Sequence, residues 1–341
     1  MPRPSQSFPA LGLACLAVAA SASAQLPSHR VDNGVVQARV SEMAGGRLLS
    51  FALAGQPNFL LVDEGAGDPE AAPDAHSGHV RYQGHEVWIG PQREWWVHQD
   101  LNPARAAAKA SWPPDPWLGL ARYTLVKRQP GAITLDSPAS PVSGIQLRKR
   151  YALVADRPNS LRLDAEATNR SAKVAGRDIW FNTRAPGRTW AYVPVAAQDD
   201  IRIEPAGALQ TTLCAGLLSL DLPAPGQAPR KGKLFAQPSS GWLAAFREGQ
   251  VLVIGFTHQP RAAIHPAQGQ VELYQDVDPG ASGQGMLELE VHAPYVELAP
   301  GQTMKASELW TILPYDGPAS RAAHVDFLRR HAAQLGISIT P

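Results

Sequence analysis

Residues 161–168 read Leu-Arg-Leu-Asp-Ala-Glu-Ala-Thr, so that apolar and polar side chains alternate along the whole stretch. Successive side chains of a β-strand point to opposite faces of its sheet, and the pattern therefore predicts a strand with one buried and one solvated face. Similar patterns, most of them bounded by Gly, Pro, Asn or Asp, predict strands over 35–40, 48–54, 121–128, 144–154, 241–247, 250–257, 270–275, 284–292 and 303–313. Strands and turns at this density predict an all-β fold, a large antiparallel β-sandwich.

One helix is predicted, close to the C-terminal end of the sequence. Four apolar side chains at helical spacing, from Val325 to Leu335, fall on one face of a helix over about 319–335. Gly336 suits the C-terminal cap, where a left-handed backbone conformation is common. We expect this helix to pack on the edge of the sandwich.

The composition limits the class of protein. The chain has 341 residues, of which 44% are hydrophobic and 18% charged, enough to bury the core of one large domain or two small ones. No break in composition and no internal repeat divides it, so we expect a single domain over 25–341 with its core at about 30–313. The 31 Lys and Arg residues nearly balance the 30 Asp and Glu residues, which excludes the strongly basic surface of a nucleic-acid-binding protein.

Residues 1–24 have the order of a secretory signal peptide. Arg3 supplies a positive start, residues 10–20 are apolar, and small residues precede a predicted cleavage after Ala24. The apolar run is shorter than the about 20 residues that a transmembrane helix needs. We therefore expect a periplasmic or secreted protein with no transmembrane segment in the mature chain. Lipid attachment at Cys15 is the weaker alternative, because the residues before it fit a lipobox poorly.

Cys214 is the other cysteine of the sequence, and it would stand alone after signal cleavage. A single cysteine forms no intramolecular disulfide, so the fold depends on the packing of its core. The apolar context of Cys214 predicts a buried, unreactive thiol.

Tryptophan is concentrated in one part of the chain. Five of the nine Trp lie between positions 88 and 117, interleaved with polar side chains. The candidate sugar-contacting residues in this region are His85, Glu86, Trp88, Arg93, Trp95, Trp96 and Trp112. Sugars present flat C–H faces and rims of hydroxyls, which aromatic platforms beside charged groups match. The alternative is that these Trp side chains fill the core beneath a long loop.

The stretch Gly285-Met-Leu-Glu-Leu-Glu-Val-His292 reads as a strand with two different faces. Glu288, Glu290 and His292 share the face opposite to the apolar side chains. Two carboxylates and an imidazole in a row would suit proton transfer if that face lines a cleft. An outer, solvated face is the alternative.

Residues 74–79 read Asp-Ala-His-Ser-Gly-His, which offers His76 and His79 as candidate metal ligands. Their spacing matches no specific zinc motif, and the sequence contains no nucleophile elbow, phosphate loop or dinucleotide fingerprint. We therefore expect no cofactor and no resident metal, with binding at the His76 and His79 loop left open.

Four segments carry a resemblance to a known family. They are 33–51, 84–92 (Gly-His-Glu-Val-Trp-Ile-Gly-Pro-Gln), 137–147 and 287–301 (Leu-Glu-Leu-Glu-Val-His-Ala-Pro-Tyr-Val-Glu-Leu-Ala-Pro-Gly). In this order they resemble a bacterial family of unknown function with the galactose-mutarotase-like supersandwich fold, over about residues 30–313. The resemblance implies a fold and leaves the activity open.

The wider mutarotase superfamily implies roles for particular residues. Aldose epimerases use a Glu on a late strand as general base, and Glu290 stands in the similar place. Their general-acid His corresponds to Asp178 here, which departs from the family because an ionised carboxylate is a poor proton donor. His292 or His85 would have to supply the proton instead. Trp180, in the same stretch as Asp178, is expected to help wall the sugar.

Three functions are consistent with the sequence. The first is a periplasmic protein that recognises a small sugar or oligosaccharide, with aldose 1-epimerase-like chemistry through Glu290, Asp178 and His292. The second is a carbohydrate-binding or assembly module without catalysis. Glycoside hydrolysis or lyase chemistry with Glu288 and Glu290 ranks third, because neighbours on one strand rarely flank one glycosidic bond.

Overall fold

The computed structural model describes residues 25–224, 226–280 and 285–339, and the predicted signal peptide, residues 1–24, lies outside the described residues. The strands are β1 (His29–Asp32), β2 (Val36–Val40), β3 (Leu48–Leu53), β4 (His85–Gly90), β5 (Thr124–Gln129), β6 (Ala132–Asp136), β7 (Ile145–Val154), β8 (Arg157–Asn169), β9 (Ala175–Pro186), β10 (Trp190–Pro194), β11 (Ile201–Glu204), β12 (Thr211–Cys214), β13 (Leu217–Leu220), β14 (Arg230–Ala236), β15 (Trp242–Arg247), β16 (Gln250–Phe256), β17 (Val271–Val277), β18 (Met286–His292), β19 (Val296–Leu298) and β20 (Thr303–Pro314). The α-helices are α1 (Met43–Gly46), α2 (Pro103–Ala107), α3 (Pro116–Gly119), α4 (Arg321–Arg330) and α5 (Ala332–Leu335), with short 3₁₀ turns at Gln92–Glu94, Gln198–Asp200 and Arg261–Ala263.

Two large antiparallel sheets form the body of the protein. The first, which we call the cleft sheet, has the strand order β1-β2-β3-β4-β9-β18-β17-β14-β11, and β19 pairs with β9 beside it. The second has the order β12-β13-β10-β15-β16-β20-β8-β7-β6-β5. Each of the ten strands predicted from alternation overlaps an observed strand, and the predicted all-β sandwich is confirmed.

The main hydrophobic core lies between the two sheets. Residues 161–168, on β8, show why: Leu161, Leu163, Ala165 and Ala167 are buried in this core, and the polar positions between them face outward. The side chains of Phe51 from the cleft sheet and Trp310 from the second sheet meet edge to face, with ring centroids 5.7 Å apart.

The C-terminal helix is present, but it covers a face of the second sheet and not an edge of the sandwich. Phe327 and Leu328 of α4 and Leu335 of α5 are buried with side chains of β10, β15, β16 and β20. Gly336 adopts a left-handed conformation with φ 72° and ends the helix, as its position predicted. The helix shields the face of the second sheet that points away from the core.

Two further observations concern predictions made from local composition. Cys214, predicted to be buried, is exposed, because it ends the edge strand β12. Among the helices of the described ranges, none combines the length and the apolar character that a membrane crossing requires.

Candidate functional site

Five neighbouring strands of the cleft sheet, in the order β4-β9-β18-β17-β14, carry polar and aromatic side chains on the face opposite to the core. Along β9, Trp180, Asn182 and Arg184 alternate with the core residues Phe181 and Ala185. The antiparallel register then places side chains of different strands side by side. In this way Trp88 lies opposite Trp180, and Arg184 lies opposite Glu288. Because every second side chain of a strand points to the same face, these strands together place the polar and aromatic groups on one surface.

A cleft of about 990 Å³ opens on this face. Its lining includes the aromatic side chains of Trp88, Trp112 and Trp180 and the charged side chains of Arg184 and Glu288. Further polar groups of the lining are His79, Arg81, Lys231, Lys233, Tyr274 and Asp276. A volume of this size lies at the upper end of the range that is usual for small-molecule sites.

The tryptophans of the cleft form one connected aromatic array. Trp88 lies edge to face against Trp112 and Trp180, with ring centroids 6.1 and 4.8 Å away. Trp180 also stacks on Trp95 at 5.8 Å, and Trp112 meets His79 at 4.7 Å. Trp112 is 48% exposed, whereas Trp88 and Trp180 are almost fully buried. Trp112 therefore offers free aromatic surface, held in place by the array.

Beneath the cleft, a buried group of ion pairs joins β4, β9 and β18. The Arg184 guanidinium donates to Glu288 Oε1 at 2.8 Å and to Glu86 Oε1 at 2.5 Å. Arg47 donates to the other oxygen of Glu86 at 2.7 Å. Two guanidinium groups therefore balance two carboxylates, and their proximity holds the pKa of the Glu86 carboxyl well below its usual range despite burial.

A second buried group lies on β14, β17 and β18. Lys233 Nζ lies 2.7 Å from Glu272 Oε2 and 2.8 Å from Glu290 Oε2. Trp180 Nε1 donates to the same oxygen of Glu290 at 2.8 Å. The Lys233 ammonium also faces the Trp180 ring, 4.6 Å from its centroid. Glu290 is fully buried, because Trp180 and Lys233 lie between it and the cleft.

His292 and Asp178 extend this group toward β4. His292 Nδ1 and Asp178 Oδ2 are 2.7 Å apart, and His292 Nε2 is 3.4 Å from Glu272 Oε1. Gly90 lies opposite Asp178 in the register. A Cβ at this position would come within 2.2 Å of Asp178 Oδ1, so only glycine leaves room for the carboxylate.

Burial and charge within the second group shift the pKa values of Glu290, Glu272 and His292. Burial, with Glu288 and Glu272 nearby, raises the pKa of Glu290 although Lys233 opposes this effect. Burial acts the same way on Glu272, but Lys233 and His292 outweigh it and lower its pKa. Burial disfavours the charged form of His292, and the Glu272 carboxylate reverses this and raises the pKa.

The structure divides the predicted site residues into three sets. Trp88, Trp112 and Trp180 line the cleft, as expected for walls of a binding site. Glu86, Asp178, Glu290 and His292 lie on the same face but are buried below the cleft, in the two charged groups just described. The predicted proton-transfer face of β18 is therefore neither solvated nor fully open to the cleft. Glu288 reaches the cleft and Glu290 does not, so these two carboxylates do not face one common space.

The remaining predicted residues lie elsewhere, and their positions correct the prediction. His85 neighbours Glu86 in sequence, so the period of two turns it to the opposite face, where it bonds Thr183 inside the core. Trp95 and Trp96 are buried and donate to backbone carbonyls of Ile89 and Pro113, so they fill the space beneath the loop. Arg93 is exposed and does not line the cleft.

Several residues of the site were not predicted from the sequence. They are Arg47, His79 as a cleft residue, Arg184, Lys233, Glu272 and Tyr274. The alternation Asp178-x-Trp180-x-Asn182-x-Arg184 along β9 is the signal that would have found Arg184. For Lys233 and Glu272 the sequence contains no comparable signal, because β14 and β17 meet only through the sheet register.

His76 and His79, for which the sequence left metal binding open, have different surroundings in the structure. His76 is exposed, whereas His79 points into the cleft, where burial lowers its pKa to about 4. Among the described residues, the group whose ligand atoms converge within 4.8 Å of one another is Glu272, Glu290 and His292.

This architecture is shared with galactose-mutarotase-like proteins. A putative aldose 1-epimerase from Escherichia coli K12 has 16% sequence identity with the chain, covers 84% of it and 99% of its own length, and gives a TM-score of 0.50. A galactose mutarotase related enzyme from Lactobacillus acidophilus has 11% sequence identity with the chain and a TM-score of 0.51. The match covers 86% of the chain and 100% of the Lactobacillus acidophilus protein. A galactose mutarotase-like protein from Lactobacillus casei has 11% sequence identity with the chain and a TM-score of 0.50. This match covers 84% of the chain and 100% of the Lactobacillus casei protein. At these identities the similarity establishes the fold.

Within this fold class, the chain belongs to a family described as a domain of unknown function, DUF4380, whose model matches residues 27–313. The resemblance seen in the sequence is thereby confirmed. No curated protein matches the chain.

Proposed function

We propose that this protein is a periplasmic carbohydrate-recognising protein whose cleft binds a small sugar or oligosaccharide. The observation that carries the proposal is the aromatic array in the cleft, in which the exposed Trp112 contacts Trp88 and Trp88 in turn contacts Trp180. Rigid indole surface of this kind suits the C–H face of a pyranose ring.

The polar lining of the cleft supports the same proposal. Arg184 and Glu288 provide a donor and an acceptor at the cleft floor, and they are held by their mutual bond. Tyr274, Asp276 and Lys231 add further polar groups on β17 and β14. Few, fixed polar groups among aromatic walls give a sugar site its specificity. The mixed signs of these charges favour hydroxyl recognition over recognition of a strongly charged ligand.

The proposed periplasmic location rests on the predicted signal peptide. Residues 1–24 combine a positive start, an apolar run and small residues before the predicted cleavage. An N-terminal fusion of these residues to alkaline phosphatase would be active only if the segment directs export.

A thermal-shift screen over monosaccharides and oligosaccharides tests the proposal. Ligand binding to the folded state stabilises it in proportion to saturation, so at about 100 times Kd a bound sugar is expected to raise Tm by a few degrees. An acyclic polyol at equal concentration serves as control for solvent effects. A panel in which no saccharide raises Tm above this control contradicts the proposal.

Aldose 1-epimerase chemistry is the second candidate, and the shared fold with a putative aldose 1-epimerase supports it. Glu290 lies on β18 in the place of the epimerase base, next to the cleft floor. In the present arrangement Trp180 Nε1 and Lys233 Nζ occupy Glu290 Oε2 at 2.8 Å each. Because Glu290 is also fully buried, catalysis would require the side chains between it and the cleft to move when the sugar binds, which makes binding without catalysis the better-supported function.

Optical rotation of freshly dissolved aldoses distinguishes the two candidates. If the protein only binds sugars, the wild type is expected to leave the rate of mutarotation at its spontaneous value. Acceleration by the wild type that Glu290→Gln removes would establish the epimerase function, with Glu297→Gln, at an exposed position, as the matched control.

A further inference from the structure

A set of nitrogen and oxygen donors converges below the cleft floor. Glu272 and Glu290 are direct cross-strand partners on β17 and β18, and His292 is two residues further along on the same face. Donor atoms of the three side chains lie within 4.8 Å of one another. All three residues are buried, with at most 1% of their surface exposed.

Two of the atoms that could bind a metal ion have no hydrogen-bond partner. Glu290 Oε1 and His292 Nε2 are both buried and unpaired, and His292 Nε2 lies 3.4 Å from Glu272 Oε1. Asn182, opposite Glu290 in the register, has both side-chain amide atoms buried and unpaired. Buried polar atoms without partners are rare in folded proteins, and an ordered water or a bound ion is one of their physical explanations, beside strain and a catalytic role.

The far side of His292 is arranged as in many metal sites. Asp178 Oδ2 lies 2.7 Å from His292 Nδ1, so it accepts the proton of that nitrogen. A metal ion would replace the proton of Nε2, the atom that faces Glu272 at 3.4 Å, and would bind through the lone pair of that nitrogen. Histidine ligands commonly have such a carboxylate behind them, because it fixes the tautomer and the ring orientation.

Lys233 forms an ion pair with one oxygen of each of the two carboxylates. Its ammonium contacts Oε2 of Glu272 and Oε2 of Glu290. Of the two other oxygens, Glu272 Oε1 lies 3.4 Å from His292 Nε2, and Glu290 Oε1 has no hydrogen-bond partner. Gly269 N donates to Glu272 Oε1 at 3.0 Å, which orients this carboxylate. The ammonium balances part of the negative charge but is an electrostatic competitor of any second cation.

We propose that Glu272, Glu290 and His292 form a site for one divalent transition-metal ion, with Asp178 as the residue that positions His292. One imidazole and two carboxylates are ligands of the type that Zn²⁺ and Mn²⁺ accept in proteins. The sequence did not reveal this site, because its ligands come from two strands and meet only through the register.

Metal titrations of the full mature chain, dialysed against a chelator, test the proposal without any assay of activity. MnCl₂ is titrated by electron paramagnetic resonance and ZnCl₂ by calorimetry, with Cys214→Ser included to exclude binding at the exposed thiol. The wild type is expected to bind one equivalent. Asp178→Asn is expected to weaken binding about 10–100-fold.

Ligand variants complete the test, and circular dichroism establishes that each one is folded. Glu272→Gln and Glu290→Gln are expected to lose stoichiometric binding, whereas Lys233→Met is expected to bind more tightly because the competing ammonium is gone. No metal binding by the wild type would overturn the proposal. This holds even if Lys233→Met binds metal, because Lys233 would then be the permanent counter-ion of Glu272 and Glu290. Unchanged binding by both Gln variants would equally overturn it.

Discussion

Replacing Trp112 by Ala is expected to weaken saccharide binding by about 2 kcal/mol, more than tenfold in Kd, with little change in the free energy of unfolding. Trp112 is 48% exposed and presents its free surface to the cleft, so its removal deletes a wall of the proposed sugar site and little core packing. Calorimetric titration with the saccharide that gives the largest thermal shift measures the affinity, and urea unfolding measures the stability.

Trp96→Ala is the matched control for this prediction. Trp96 belongs to the same tryptophan-rich segment but is fully buried and donates from Nε1 to Pro113 O at 2.7 Å. Its truncation is expected to cost about 3–5 kcal/mol of stability through the cavity that it leaves. If Trp112→Ala keeps wild-type affinity, or lowers stability as much as Trp96→Ala, then Trp112 is not a wall of the binding site.

Arg184→Leu is expected to lower the free energy of unfolding by about 3–5 kcal/mol, because it leaves two buried carboxylates without their shared cation. Arg184 is 1% exposed and bonds both Glu86 and Glu288. Burying a carboxylate without a partner is costly. In the variant Glu86 would still pair with Arg47, but Glu288 would lose its bond to Arg184. Urea unfolding followed by tryptophan fluorescence gives the difference.

Arg162→Leu provides the comparison on the other sheet. Arg162 pairs with Asp164 at 2.7 Å, but its side chain is 51% exposed on the outer face of β8. Exposed pairs of this kind contribute about 0–1 kcal/mol. Equal losses in the two variants would mean that the Arg184 ion pairs do not support the cleft floor.

The fold could be predicted from the sequence because alternation is a local property. Residues 161–168 display the period of two, and their burial in the structure follows it position by position. The predicted helix is found for the same reason, with Gly336 as its cap. The place where this helix packs was predicted wrongly, because the partner surface comes from β10, β15, β16 and β20, far away in sequence.

The site could be predicted only where single strands carry it. Trp88, Trp112 and Trp180 were expected in the cleft and line it. His85 shows the limit of composition alone, since a shift of one residue along β4 decides between cleft and core. Lys233 bonds Glu290 across 57 residues of sequence, so only the sheet register reveals this contact.

A crystal structure of the protein with the saccharide that gives the largest thermal shift tests the central claim most directly. We expect the sugar ring to lie against the indole of Trp112 in the cleft, with hydroxyl groups bonded to Arg184 and Glu288. A saccharide bound elsewhere on the protein, with the cleft of the three tryptophans free of sugar, would contradict the account.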